Sequence, residues 1–217
     1  MQSFKTYFAD KNFRLTFLGS AILLLASLVV QYYASIYVTR SISEPVTDII
    51  LSNTRVWDVE IIFIWGPILL TAIGIFVGLR RINCAPFIME GLAIFTLIRS
   101  FFVSLTHISP FPTHVVIDST FFTHSMFSGI FTGNDLFFSG HTGVPFLLAL
   151  MFWENKKLRF MFLGFSVLFA VVVLLGHLHY SIDVMSAYFI TFSIFNICKF
   201  LFKEDWQLFL KNNHETL

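Results

Sequence analysis

Charge is what this chain has least of: Asp, Glu, Lys and Arg make up 12% of its 217 residues, about half the share in an average soluble domain. With 56% apolar residues and a mean hydropathy of +0.78, the chain cannot hide its apolar surface inside one water-facing core. A soluble globule is therefore excluded. Basic stripes and acidic tails are missing too, and the net charge is +1, so nucleic acid is not an expected partner. Cysteine is nearly absent. Cys84 and Cys198 are too few and too far apart for a disulfide framework or a thiolate metal site. No internal repeat, Gly/Ser linker or low-complexity tract divides the chain, and residues 1–217 read as a single membrane domain. What is abundant is phenylalanine, at 29 positions.

A helix needs about 20 mainly apolar residues to cross a bilayer. Six such runs are bounded by charge: Leu15–Val38, Ile61–Leu79, Ala85–Leu105, Leu136–Trp153, Phe160–Leu178 and Ser181–Phe202. The expected fold is an all-α integral membrane protein of six transmembrane helices. The first run follows Lys5, Lys11 and Arg14 but is longer than the apolar part of a secretory signal and lacks an evident cleavage site, so it reads as a retained anchor. Basic residues set the orientation. Eleven of the fourteen lie before span 1, between spans 2 and 3, between spans 4 and 5, or at the C-terminal end. Both termini are thus expected in the cytoplasm, and the 39–60, 106–135 and 177–182 segments on the outer face.

Two polar clusters fall at that outer face. Span 4 opens on Ser139-Gly140-His141-Thr142, and the junction of spans 5 and 6 reads His177-Leu178-His179-Tyr180-Ser181-Ile182-Asp183-Val184. His179 and Asp183 are four apart and share a face if span 6 begins there as a helix. A carboxylate so placed accepts a hydrogen from one imidazole nitrogen and leaves the other as a nucleophile or base. His141, held independently, can protonate a leaving oxygen. That division of labour suits phosphoryl transfer. Arg99 lies six residues before the outer end of span 3, about 9 Å deep at 1.5 Å per residue. A guanidinium there must be compensated, and can bind phosphate oxygens in bidentate fashion; a purely structural pairing, with Asp135 or Asp183, is the plainer alternative.

At these residues the chain resembles the sphingomyelin synthase family, a branch of the type-2 phosphatidic acid phosphatase superfamily. Ser139-Gly140-His141-Thr142 and His179-Tyr180-Ser181-Ile182-Asp183-Val184 look like that family's two catalytic motifs. Asp135, His177, Ala187-Tyr188 and the run Ser109-Pro110-Phe111-Pro112-Thr113-His114 after Arg99 extend the likeness. The resemblance implies a catalytic core over residues 85–202, at the extracytoplasmic face of a bacterial inner membrane, or of the Golgi or plasma membrane in a eukaryote. It implies His179 as nucleophile on the phosphorus of a glycerophospholipid, Asp183 as its orienting partner and His141 as the acid for departing diacylglycerol. Arg99, Asp135, Ser139 and Tyr180 would bind substrate or its phosphate. The phosphohistidine would pass phosphocholine or phosphoethanolamine to ceramide or a related lipid alcohol. With water as acceptor the protein would instead be a lipid phosphatase or phospholipase C-like hydrolase. Valines stand where the classical phosphatases carry Ser-Arg, and their upstream K-x6-R-P is lacking, which favours a phosphodiester substrate over a monoester dianion.

No cofactor is expected. His107, His114 and His124 fit no tight metal-ligand spacing and no cysteine accompanies them. A six-span transporter is the non-enzyme alternative, with Arg99, Glu90 and the histidines along a path. Against it, Glu90 is the one polar group placed clearly in the inner half, where a path needs polar groups on both sides of the midplane. Asp135 has a plain reading too, as a cap on span 4.

Overall fold

The computed structural model describes residues 4–117 and 136–211. The helices among them are α1 (Phe4–Ala9), α2 (Lys11–Arg40), α3 (Glu60–Arg80), α4 (Ala85–Leu105), α5 (Gly140–Met151), α6 (Lys156–Leu175), α7 (Ser181–Leu201) and α8 (Lys203–Lys211), with single 3-10 turns at Leu51–Asn53 and Ile82–Cys84. Five stretches are long and apolar enough to cross a membrane: α2, α3, Ile82–Leu105, α6 and α7. Their outward side chains are large and apolar, for example Ile61, Ile75, Phe189 and Phe200. Such surfaces find their partner in lipid.

The fourth expected span differs from the rest. Its helix, α5, is 12 residues long, about 18 Å, against a hydrocarbon core of about 30 Å. Leu136, Phe137 and Phe138 supplied the missing apolar length in the sequence but lie outside the helix, which starts only after Ser139. Protein meets the apolar demand of α5. Its residues from Leu147 to Met151 are all buried, together with Thr142, Gly143 and Pro145, among α4, α6 and α7. Gly143 marks the closest approach: an added Cβ would lie 2.7 Å from the Phe95 ring and 2.9 Å from Thr191 Oγ1. The fifth span is also shorter at its outer end than expected, since α6 stops at Leu175 and His177 takes a left-handed φ of 53°.

Around this core α2 packs on α4 through small residues. Ser20 and Ser27 are buried there, and each hydroxyl donates back to a carbonyl one turn earlier, Phe17 O and Leu24 O. Small side chains with self-satisfied hydroxyls let membrane helices approach closely. Helix α3 sits against α6 at Gly66, where the Phe169 ring leaves no room for a Cβ. At the opposite end from the polar clusters, α8 folds back beneath the bundle. Phe209 is fully buried against Phe87, Phe152 and Trp206, and Asn83 Nδ2 donates to Leu208 O at 3.3 Å. Glu90, buried in α4, faces Asp205 of α8. Burial first, and then Glu204, hold the Asp205 carboxyl above its ordinary value, against the lowering effect of its hydrogen bond with Glu90.

Candidate active site

The other end of the bundle is knitted from segments far apart in sequence. Ser43 donates its backbone N–H and its hydroxyl to His107 O at 2.7 and 2.6 Å. Trp57 N–H donates to Leu175 O and Val115 N–H to Gly176 O, both at 2.9 Å. The Tyr180 hydroxyl donates to Ser109 O at 2.8 Å and accepts from Val46 N–H at 3.2 Å. These bonds satisfy loop backbone that would otherwise face an apolar medium unpaired, and they fix the platform from which α7 starts.

Tyr180 is the N-cap of α7, and Asp183 is the third residue of the helix. Asp183 is wholly buried. Its Oδ2 accepts from Tyr180 N–H at 3.0 Å and lies 3.2 Å from His179 Nδ1. The expected i, i+4 pair is therefore present, but not as two residues on one helical face, because His179 precedes the cap. The carboxylate bends back over the helix start, where free N–H groups and the helix dipole favour negative charge. A carboxylate in its ionised form only accepts; the tautomer that bonds to it is the one with hydrogen on Nδ1, which leaves the Nε2 lone pair available.

The first motif is bound to the second through the backbone. Ser139 N–H donates to Asp183 O at 3.1 Å, and the Ser139 hydroxyl, fully buried, caps α5 by accepting from Thr142 N–H at 3.4 Å. Arg99, also buried, donates from Nε to Phe138 O at 3.1 Å. Its guanidinium lies against Gly140, where an added Cβ would come 3.4 Å from Nε. Arg99, the S-G-H turn, Asp183 and His179 thus form one linked series. The His141 ring is half-buried and lies flat on Phe63, with centroids 4.2 Å apart and planes 18° apart; it meets Phe169 edge to face at 6.1 Å.

Two expected substrate ligands are tied to backbone groups. The Ser139 and Tyr180 hydroxyls meet backbone partners and both residues are buried. Burial, foremost, holds the Tyr180 phenol above its ordinary value, so its O–H stays available as a donor. Asp135 and His124 lie outside the described residues. Among the described residues no group of three or more His, Cys, Asp or Glu side chains is placed to hold a metal.

His177 and Asp48 hold the loops. His177 Nδ1 is 2.7 Å from Thr113 Oγ1, and Nε2 is 3.3 Å from Thr54 Oγ1. The ring thereby pins both neighbouring loops and compensates a backbone conformation that costs on the order of 1 kcal/mol outside glycine. Asp48 accepts from Ile50 and Leu51 N–H through Oδ1 and from Ser181 N–H through Oδ2, the last at 2.7 Å. Nothing in the sequence around Asp48 signalled this, because its chief partner is 133 residues away. Phe63, Thr54 and Thr113 were missed for the same reason.

Both groups titrate below the ordinary value, in separate windows. Burial lowers His177 from 6.5, the Asp48 charge opposing it. The docked loops therefore bind fewer protons than undocked ones, and their stability falls as pH drops below about 6.5. For Asp48 burial acts upward but is outweighed by the Leu51, Ser181 and Ile50 N–H groups and the Ser181 hydroxyl, so its contribution persists to below 3.8. Hydrogen exchange at Trp57 and Val115, corrected for intrinsic rates, should speed up between pH 7 and 5. His177→Gln should abolish that dependence, and a flat profile in the unsubstituted protein would contradict it.

Residues 132–200 match the family model described as PAP2 superfamily C-terminal, a span that contains both motifs. No curated protein and no solved structure matches the chain. The match supports the type-2 phosphatidic acid phosphatase superfamily, and with it an enzyme of the lipid phosphatase or phosphotransferase kind. Together with five apolar helices of spanning length, it marks the chain as a membrane protein.

Proposed function

We propose that the protein is a sphingomyelin synthase-like phosphotransferase, which moves phosphocholine or phosphoethanolamine from a glycerophospholipid to ceramide or a related lipid alcohol. The observation that supports this reading is the His179–Asp183 pair, with Nδ1 3.2 Å from the carboxylate; Nε2 is the proposed nucleophile. In the first half-reaction Nε2 attacks phosphorus, the bond from phosphorus to the diacylglycerol oxygen breaks, and His141 gives that oxygen a proton. In the second, the acceptor hydroxyl passes its proton to His141, its oxygen attacks phosphorus, and the phosphorus–nitrogen bond breaks. Arg99 neutralises charge on the non-bridging oxygens. Asp135 is proposed as a further headgroup contact.

The proposed setting has six spans, with the segment from Leu136 through α5 as the fourth. Both termini are cytoplasmic and the site lies at the extracytoplasmic face. The excess of Lys and Arg at the α8 end of the bundle supports this orientation. The catalytic unit is residues 85–202, and α4 belongs to it because Arg99 holds the Phe138 carbonyl.

Purified protein in detergent, given phosphatidylcholine or phosphatidylethanolamine with and without ceramide, tests the reading. Diacylglycerol beyond one equivalent per enzyme formed only when an acceptor is present, together with a headgroup-bearing sphingolipid, is the expected result. Diacylglycerol with free phosphocholine or phosphoethanolamine would make the protein a hydrolase. Formation of neither would remove the enzymatic reading.

A further inference from the structure

His141 is held in a way that its own motif does not supply. Its ring lies nearly parallel to that of Phe63, 4.2 Å between centroids, and meets Phe169 at close to a right angle. One aromatic therefore covers a face of the imidazole while the other sets its rotation about χ2. Phe63 belongs to α3, outside residues 132–200 that match the family model. It sits in the first turn of that helix, where its N–H bonds to Val59 O at 2.9 Å, and packs on Ala170, Val173 and Val184. Gly66, one turn further, lets α3 close on Phe169. The start of α3 is anchored in turn by the bond from Trp57 to Leu175.

We infer that Phe63 is a positioning residue for proton transfer by His141, fixing the plane in which the imidazole meets the leaving oxygen. This rests on the acid and base role proposed for His141. Helix α3 thus brings one aromatic face to a reacting group, and α6 brings the other through Phe169. An imidazole free to turn about χ2 swings its nitrogens off the line to the substrate oxygen, and a misplacement of about 1 Å costs on the order of 10²-fold in rate. A benzene face also tolerates the imidazolium that forms in the second half-reaction. Phe63 touches no substrate in this scheme; it acts through His141.

Leaving groups separate this role from scaffolding. A lipid donor expels an alkoxide that needs a proton, whereas a p-nitrophenyl phosphodiester of the same headgroup expels nitrophenolate without one. Phe63→Leu should lower kcat on the lipid donor by about 10²-fold with KM little changed. Single-turnover nitrophenolate release should stay close to that of the unsubstituted enzyme. Phe63→Met, which keeps volume and apolarity, should show the same split, and Phe63→Tyr should restore the lipid reaction. An undiminished lipid reaction in Phe63→Leu, or equal loss on both donors in the Leu and Met variants, would overturn the inference. His141→Ala run alongside keeps the levels apart: if it turns over the lipid donor normally, the acid role of His141 fails. If His141→Ala is inactive there while the Phe63 variants are normal, only the role of Phe63 fails.

Discussion

His179→Ala should leave essentially no transfer, with diacylglycerol formation down by about 10⁴-fold or more, as expected when the nucleophile of a covalent mechanism is removed. That corresponds to at least about 5.5 kcal/mol of barrier. The cost to the fold is smaller. His179 gives Asp183 one charge-assisted hydrogen bond, worth about 1.5–3 kcal/mol, and Tyr180 N–H still satisfies the same oxygen after the substitution. The variant should therefore keep its elution profile in detergent and most of its melting temperature while losing activity. In the unsubstituted protein, donor without acceptor should give an acid-labile, base-stable phosphoryl adduct at residue 179 by mass spectrometry. Normal turnover in His179→Ala would refute the assignment.

Asp183→Asn should lower kcat by about 10²-fold to 10⁴-fold, with a far smaller effect on stability. The amide keeps the size of the carboxyl, and its oxygen can occupy the place that accepts from Tyr180 N–H and His179 Nδ1. The lost quantity is charge. Without it the imidazole has less to favour the single tautomer with Nδ1 protonated, or to support the cation that forms when Nε2 bonds to phosphorus. A negative charge at a helix start contributes only about 0.3–1 kcal/mol to folding, so the melting temperature should move little. Asp183→Ala should cost more on both scales, since it also removes the acceptor for the Tyr180 N–H. Equal kcat in Asp183→Asn and the unsubstituted enzyme would show that the carboxylate is only a cap.

Much of this was legible in the sequence because lipid imposes length and charge rules that composition exposes. The apolar runs located α2, α3, α4, α6 and α7 to within a few residues, and the spacing of His179 and Asp183 anticipated their contact. Less was legible where protein rather than lipid was the neighbour. Leu136–Phe138 precede the helix, with Leu136 and Phe138 buried against protein, and hydropathy does not distinguish the two surroundings. The backbone partners of the Tyr180 hydroxyl were not legible either, because tertiary folding brings them together. Asp48, Thr54, Thr113 and Phe63 were silent, each meeting its partner across 64 to 133 residues or through a ring contact between different helices. Helical or strand periodicity carries no record of such pairings.

The bond from Ser139 N–H to Asp183 O joins the start of α5 to the start of α7, and it gives the site a time of birth. Ribosomes deliver α4 and α5 first, so Arg99 and His141 enter the bilayer while the segment that carries His179 and Asp183 is still unmade. On the proposed roles, the guanidinium and the imidazole then wait for their nucleophile and its carboxylate partner. On that scheme catalytic competence arrives with the His179–Asp183 pair, and a chain truncated before residue 179 should be inert.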